Sequence, residues 1–125
     1  MTDAPRLLVV DDDPAVSGML DRSLSRHGFA CDAVNTPQEA LDRAAQGTYV
    51  AAFVDLVMPG RNGAELARLL REQAPGLPVG VLTGYANSPL IAEARRAGAR
   101  VFAKPVSIED LVAFLDEELP AHVEE

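Results

Sequence analysis

The sequence predicts an α/β fold: a doubly wound parallel sheet of five strands with helices on both faces. Three observations carry this. Short apolar runs alternate with segments of helical periodicity along the chain, the pattern of repeated strand–helix units joined by right-handed crossovers. The run from Tyr49 to Val54 is apolar without a break, as in a strand covered on both faces. Helix punctuation also recurs, with proline just inside predicted starts and glycine just past predicted ends.

The first strand is Arg6-Leu7-Leu8-Val9-Val10, running into Asp11-Asp12-Asp13-Pro14. Proline suits the first helical position and aspartate the cap before it, so Asp13 starts the first helix while Asp11 and Asp12 have no capping role. That helix runs to about His27, with Val16, Met19, Leu20 and Leu24 on one face, and Gly28 supplies the left-handed residue that ends it. His27 suits the helix dipole, and neither it nor His122 is assigned chemistry. The second strand spans Phe29 to Val34, followed by the capping box Thr36-Pro37-Gln38-Glu39 and a helix through Leu41 to Gly47. The third strand ends on Asp55 and breaks at Pro59-Gly60. Asn62 caps a third helix carrying Leu66, Leu69 and Leu70. The fourth strand, Val79 to Leu82, ends on Thr83-Gly84. Ser88-Pro89 opens the fourth helix and Ala97-Gly98 closes it. The fifth strand, near Val101 to Ala103, ends on Lys104-Pro105. Ser107 caps the fifth helix, with Ile108, Leu111, Val112, Leu115 and Leu119 at helical spacing.

Composition narrows the function. A chain of 125 residues, 48% hydrophobic, is expected to form one domain with a substantial core. No apolar run approaches the ~20 residues of a membrane span and no signal-peptide pattern opens the chain, so a cytoplasmic protein is expected. Cys31, the only cysteine, sits in an apolar strand and reads as a small core residue. A formal net charge of −8 argues against direct nucleic-acid binding, which needs a positive footprint. Acid gathers late, at Glu109, Asp110, Asp116, Glu117, Glu118, Glu124 and Glu125, as a solvated face and tail.

The chemistry lies at the strand ends. A buried strand that finishes on a carboxylate, as at Asp55, either starts a turn or holds a site, because an unpaired buried carboxylate costs several kcal/mol or takes up a proton. In a doubly wound sheet, ligands bind outside the carboxyl ends of the strands. Here those ends carry Asp11 and Asp12, Asp55, Thr83 and Lys104, whereas the polar residues closing the second strand are explained by capping. Two unit charges ~4 Å apart repel by on the order of 4 kcal/mol at an effective dielectric of ~20. A hard divalent cation relieves this, and Mg2+ takes carboxylates, waters and phosphate oxygens. An acidic pocket for Mg2+ beside a lysine and a threonine hydroxyl suits phosphoryl transfer. Lys104 is the only lysine among 11 basic residues, and a compact ammonium suits a single phosphoryl oxygen better than a planar guanidinium does.

With these residues in order, the chain resembles a response-regulator receiver domain, the phosphoacceptor module of two-component signalling. The matching segments are Leu7-Leu8-Val9-Val10-Asp11-Asp12-Asp13-Pro14, Asp55-Leu56-Val57-Met58-Pro59-Gly60, Leu82-Thr83-Gly84-Tyr85 and Ala103-Lys104-Pro105. The resemblance implies a flavodoxin-like sheet of strand order 2-1-3-4-5, an order taken from the known fold and not from the sequence pattern. It implies that Asp55 is the nucleophile taking a phosphoryl group from the phosphohistidine of a histidine kinase or histidine phosphotransfer protein. Asp12 and Asp55 would ligate Mg2+ directly, with the Val57 carbonyl as a third protein ligand and Asp11 acting mainly through a metal-bound water. Thr83 would hydrogen-bond the phosphoryl group, Lys104 would pair with it, and Lys104–Pro105 would be a cis peptide.

Two departures from the family pattern bear on the switch. Three residues before Lys104 the family usually has an aromatic that moves with the threonine; here stands Val101. The stretch from Gly98 to Lys104 is also one residue shorter than usual. The leading expectation is one receiver over residues 1–125 with no output domain, acting by docking and not as a turnover enzyme. An N-terminal receiver cut from a larger transcriptional regulator is the alternative, and Met1 argues against a hybrid-kinase fragment. A Mg2+-dependent phosphohydrolase with an aspartyl-phosphate intermediate would need a second acid and a capping insertion, and every loop is short. The partner surface is expected on the fourth helix, fifth strand and fifth helix, with Phe114 off the apolar stripe and partly in solvent.

Overall fold

In the computed structural model, which describes residues 4–119, five strands alternate with five helices. They are β1 (Arg6–Val10), α1 (Pro14–Ser25), β2 (Ala30–Val34), α2 (Pro37–Gln46), β3 (Ala51–Asp55), α3 (Gly63–Gln73), β4 (Val79–Thr83), α4 (Leu90–Arg96), β5 (Arg100–Ala103) and α5 (Ile108–Glu118). The strands form one parallel sheet of order β2-β1-β3-β4-β5. Glu124, Glu125 and His122, for which a solvated tail was expected, lie outside the described residues, as does the lead-in before Ala4.

The expected caps form. Asp13 accepts from the Ala15 N–H at 3.0 Å, Thr36 from Glu39 at 3.1 Å, Asn62 from Glu65 at 2.9 Å and Ser107 from Asp110 at 3.3 Å. Each satisfies a backbone donor that a helix start leaves unpaired. The α2 box is reciprocal, since the Glu39 carboxylate accepts from the Asn35 N–H at 3.2 Å. The first helix is shorter than predicted, ending at Ser25, and Gly28 turns the chain at φ 92°.

Two cores sandwich the sheet, and strand alternation assigns residues to them. Leu8, Val10, Ala52, Val54 and Val81 pack with α2, α3 and α4, and Val101 packs against this core. Leu7, Val9, Ala51, Phe53 and Leu82 pack with α1 and α5, and Phe102 joins that side. Every residue of β3 and β4 is buried, so both strands are central, as the unbroken apolar run in β3 required. Cys31 is half-buried on the edge strand β2; burial, with the nearby Asp21 and Asp32 carboxylates, pushes its thiol up to about 12.

One expectation is overturned. Phe114 is 4% exposed, not a partly solvated contact residue. Its ring lies 5.9 Å from that of Phe53 and 5.5 Å from that of Phe102, and the Arg100 guanidinium stands 5.2 Å above it. The physical reason is at Gly80 in β4, where a Cβ would come within 2.7 Å of the Phe53 ring and 2.9 Å of Phe102. The missing side chain leaves room for the Phe53 and Phe102 rings, and Phe114 packs on both, so the buried face of α5 is wider than its aliphatic stripe.

Candidate functional site

Chain direction across the sheet reverses between β1 and β3, and that is where the polar strand ends meet. Four polar residues are buried among the described residues: Asp11, Ser17, Asp55 and Thr83. Three of them close strands at this point, while Ser17 turns its hydroxyl back onto the Asp13 and Pro14 carbonyls of its own helix. The backbone fixes the strand ends against one another. The Leu56 N–H donates to the Leu82 carbonyl at 2.8 Å, the Lys104 N–H to the Thr83 carbonyl at 2.8 Å, and the Asp11 N–H to the Val34 carbonyl at 3.2 Å.

On this frame Asp11, Asp12 and Asp55 each offer a carboxylate oxygen, all within 4.8 Å of one another. The Lys104 ammonium lies 3.2 Å from Asp55 and 3.4 Å from Asp11. Both oxygens of Asp11 are engaged, one accepting from the Asp13 N–H at 2.9 Å and the other from Lys104. Asp12, by contrast, is exposed. Thr83 is buried, and its hydroxyl oxygen accepts from the Tyr85 N–H at 2.9 Å. Lys104–Pro105 is a cis peptide. All the residues singled out in the sequence therefore gather at one edge, with Val57 on the loop that leaves Asp55.

Charge crowding shows in the proton affinities. Burial raises the Asp55 carboxyl above the ordinary carboxylate value and the Asp11 charge raises it further; Lys104 and the Val57 backbone N–H pull the other way without cancelling the rise. Burial acts to lower the Lys104 ammonium, but Asp11 and Asp55 together outweigh it and the net shift is upward. The donor set is oxygen-only and over-negative, which fits a hard divalent cation.

Sequence reasoning passed over one feature. Gly63 was read only as part of a helix start, yet a Cβ there would lie 2.8 Å from the Leu56 Cα and against the Asp55 carbonyl oxygen. Beside the site, Val57 and Tyr85, 49% and 63% exposed, are the large exposed hydrophobics among the described residues. With Ala86, Asn87 and Ser88 they line a cavity of about 450 Å3. For Gly63 the available signal was a glycine at a helix start, which does not reveal what it touches.

Fold and site together define a doubly wound α/β protein with an acidic, lysine-bearing centre at its switch point. The profile of the response regulator receiver domain matches residues 7–116. Response regulator MprA of Mycolicibacterium vanbaalenii is 38% identical over 109 residues, covering 86% of this chain and 47% of that protein. The MprA of Mycobacterium avium is likewise 38% identical, with 86% and 48% covered. Among solved structures, the CheY-like response regulator receiver domain protein of Methanospirillum hungatei superposes with a TM-score of 0.87 at 27% identity, covering 95% of this chain and 99% of that one. The beryllofluoride-activated NtrC4 receiver domain dimer gives 0.85 at 25% identity, with 94% and 98% covered. The chain belongs to the response regulator receiver domain family. It spans about half the length of the curated relatives it matches.

Proposed function

We propose that the protein is the phosphoacceptor of a two-component or phosphorelay system, with Asp55 as the residue phosphorylated. The observation that carries this is the Asp55 carboxylate, held at the end of the central strand between Asp11 and the Lys104 ammonium. An Asp55 oxygen attacks the phosphorus of a phosphohistidine on a histidine kinase or histidine phosphotransfer protein; the new O–P bond replaces the P–N bond, and the imidazole leaves with the electron pair and takes a proton from solvent. Lys104 orients Asp55 before transfer and pairs with the phosphoryl oxygens after it. The Thr83 hydroxyl donates to one of those oxygens.

Asp12, Asp55 and the Val57 carbonyl are the proposed direct Mg2+ ligands. Asp11, with both oxygens engaged, is suited to act through a bound water. Mg2+ at this site supplies charge stabilisation on the transferring phosphoryl oxygens. Incubation with acetyl phosphate and Mg2+ should add one phosphoryl group, about 80 Da by intact mass; no gain, or the same gain in excess EDTA, would overturn the reading. Receiver chemistry of this kind is self-phosphorylation and self-dephosphorylation, not turnover of an external substrate. No helix among the described residues is long and apolar enough to cross a membrane, and a kinase donor implies the cytoplasm.

Mg2+ should also stabilise the fold, since the carboxylates meet only in the folded chain. About 10 Kd of Mg2+ adds roughly 1.4 kcal/mol. Asp12→Ala should abolish that dependence while leaving the metal-free melting temperature nearly unchanged, because Asp12 is exposed. Equal Mg2+-induced shifts in both proteins would remove Asp12 from the ligand set.

The output surface is proposed on α4, β5 and α5, centred on the edge strand β5 and not on Phe114. The switch is read through the loop from Thr83 to Asn87. The Thr83 hydroxyl already holds the Tyr85 N–H, so a phosphoryl group that draws Thr83 inward pulls this loop directly. Val101 is short and stiff at χ1 and has no ring to move into the space vacated. Addition of Mg2+ and beryllofluoride should therefore give the largest amide shifts from Thr83 to Asn87, with β5 nearly static. Large shifts confined to Val101–Ala103 would reverse this assignment.

A second reading is favoured by one observation, that the curated relatives are about twice as long as this chain. Residues 1–125 are then the N-terminal receiver of a larger transcriptional regulator, and the complete gene decides between that and a receiver with no output domain.

A further inference from the structure

We propose that a second cavity, at the amino ends of β4 and β5 and away from the carboxylate site, binds a small molecule carrying an anionic group on an apolar body. The cavity measures about 410 Å3, within the range of small-ligand sites. Arg71, Arg95 and Arg100 line it, from α3, α4 and β5, against a single carboxylate, Glu118. Val101 and Phe114 supply its apolar lining.

The state of the arginines points to an anion. Arg71 is half-buried and fixed: its Nη1 donates to the Leu77 carbonyl at 2.7 Å, and its Nε would lie 2.8 Å from a Cβ at Gly98. Neither Arg71 nor Arg95 makes an ion pair among the described residues. Arg100 is paired with Glu117 at 2.9 Å and stacked on Phe114, so it borders the cavity with its charge already shared. Cations in the last turn of α3 and α4 are expected from the helix dipole, but each terminus carries only about half a charge. Arg96, also in the last turn of α4, lines the groove toward α3 instead. Two guanidinium groups without carboxylate partners thus remain at one cavity of a chain whose net charge is −8.

The apolar part of the ligand follows from Val101. Val101 is a short branched side chain, and the cavity reaches it. A ring or short aliphatic body borne by the ligand packs there while the anion meets Arg71 and Arg95.

The test is a 1H–15N titration of the unphosphorylated protein in EDTA at fixed ionic strength, with phenyl phosphate, benzoate and inorganic phosphate in separate arms. Phenyl phosphate or benzoate should give saturable shifts centred on residues 95–101, and whichever binds tells a phosphate ligand from a carboxylate. Inorganic phosphate should bind at least fivefold more weakly than the better ring-bearing anion, about the scale of one small apolar contact. Arg95→Ala, at an exposed position, should weaken binding about fivefold, as expected for one partly exposed charged contact. Arg71→Gln should weaken it further, and Val101→Phe should erase the preference for the ring-bearing anions. Absence of saturable shifts, inorganic phosphate binding as tightly as both aromatic anions, or affinity unchanged in Arg95→Ala would overturn the proposal. Acetyl phosphate labelling of the same protein preparation, with Mg2+ in place of EDTA, reports Asp55 separately, so failure at this cavity leaves the phosphoacceptor assignment standing.

Discussion

Asp55→Asn is expected to abolish phosphorylation by acetyl phosphate outright while leaving the fold at least as stable as before. The loss is complete because the one other described carboxylate that is buried at a strand end and in contact with Lys104, Asp11, has both oxygens committed. The stability expectation follows from the sign of the shift. The Asp55 carboxyl is raised, chiefly by burial and then by Asp11. A carboxyl raised in the folded state contributes stability that is full below its unfolded value and is lost as pH climbs through the folded one. At neutral pH its charge is thus a net cost to folding, which the neutral amide removes. The replacement's amide oxygen still accepts from Lys104, and Lys104 keeps Asp11 at 3.4 Å. Melting curves in EDTA should place the variant level with or above wild type at neutral pH, the difference vanishing below the carboxylate range. A persistent mass gain would move the phosphorylation site; a large fall in melting temperature would mean that the Lys104–Asp55 pair outweighs the burial of the charge.

Gly63→Ala should be the most damaging small substitution near the site. Helix propensity favours alanine by about 1 kcal/mol, and a residue at the first position of α3 would ordinarily gain part of it. Here the added methyl meets backbone: the Leu56 Cα at 2.8 Å, the Asp55 carbonyl carbon at 2.9 Å and the Asp55 carbonyl oxygen. A side chain can rotate away from such a contact, but the end of β3 cannot, being paired through Asp55 with Leu82 and tied by the Gly63 N–H to the Leu56 carbonyl at 2.8 Å. Overpacking of this kind costs on the order of 3 kcal/mol, which exceeds the propensity gain. Relief requires β3 and α3 to part, which carries the Asp55 carboxylate away from Lys104, so labelling should slow as stability falls. Gly84→Ala is the control, because nothing lies within 4 Å of a Cβ there; it should stay within about 0.5 kcal/mol of wild type. Equal melting temperatures for the two variants would show that β3 and α3 separate without cost.

The sequence alone determined the elements and the polar residues that the structure gathers at the strand ends. Caps at Asp13, Thr36, Asn62 and Ser107 were legible because capping is a contact between residues two or three apart. The unbroken apolar run in β3 was legible because burial on both faces leaves no polar positions. Asp11, Asp12, Asp55, Thr83 and Lys104 stood out because each closes a strand, and a parallel sheet sends all its strand ends to one edge. The strand order did not follow from local pattern: right-handed crossovers permit several orders, and only pairing across the sheet selects β2-β1-β3-β4-β5. Tertiary structure also decided the fate of Phe114, which is buried against the rings of Phe53 and Phe102, on strands that the sequence alone does not place beside it. It decided that Gly63 presses on the backbone of Asp55, and that Arg71 and Arg95 share a cavity reaching Val101. All of these rest on contacts between residues far apart in the chain, and the space left by an absent side chain has no signature until its neighbours are packed around it.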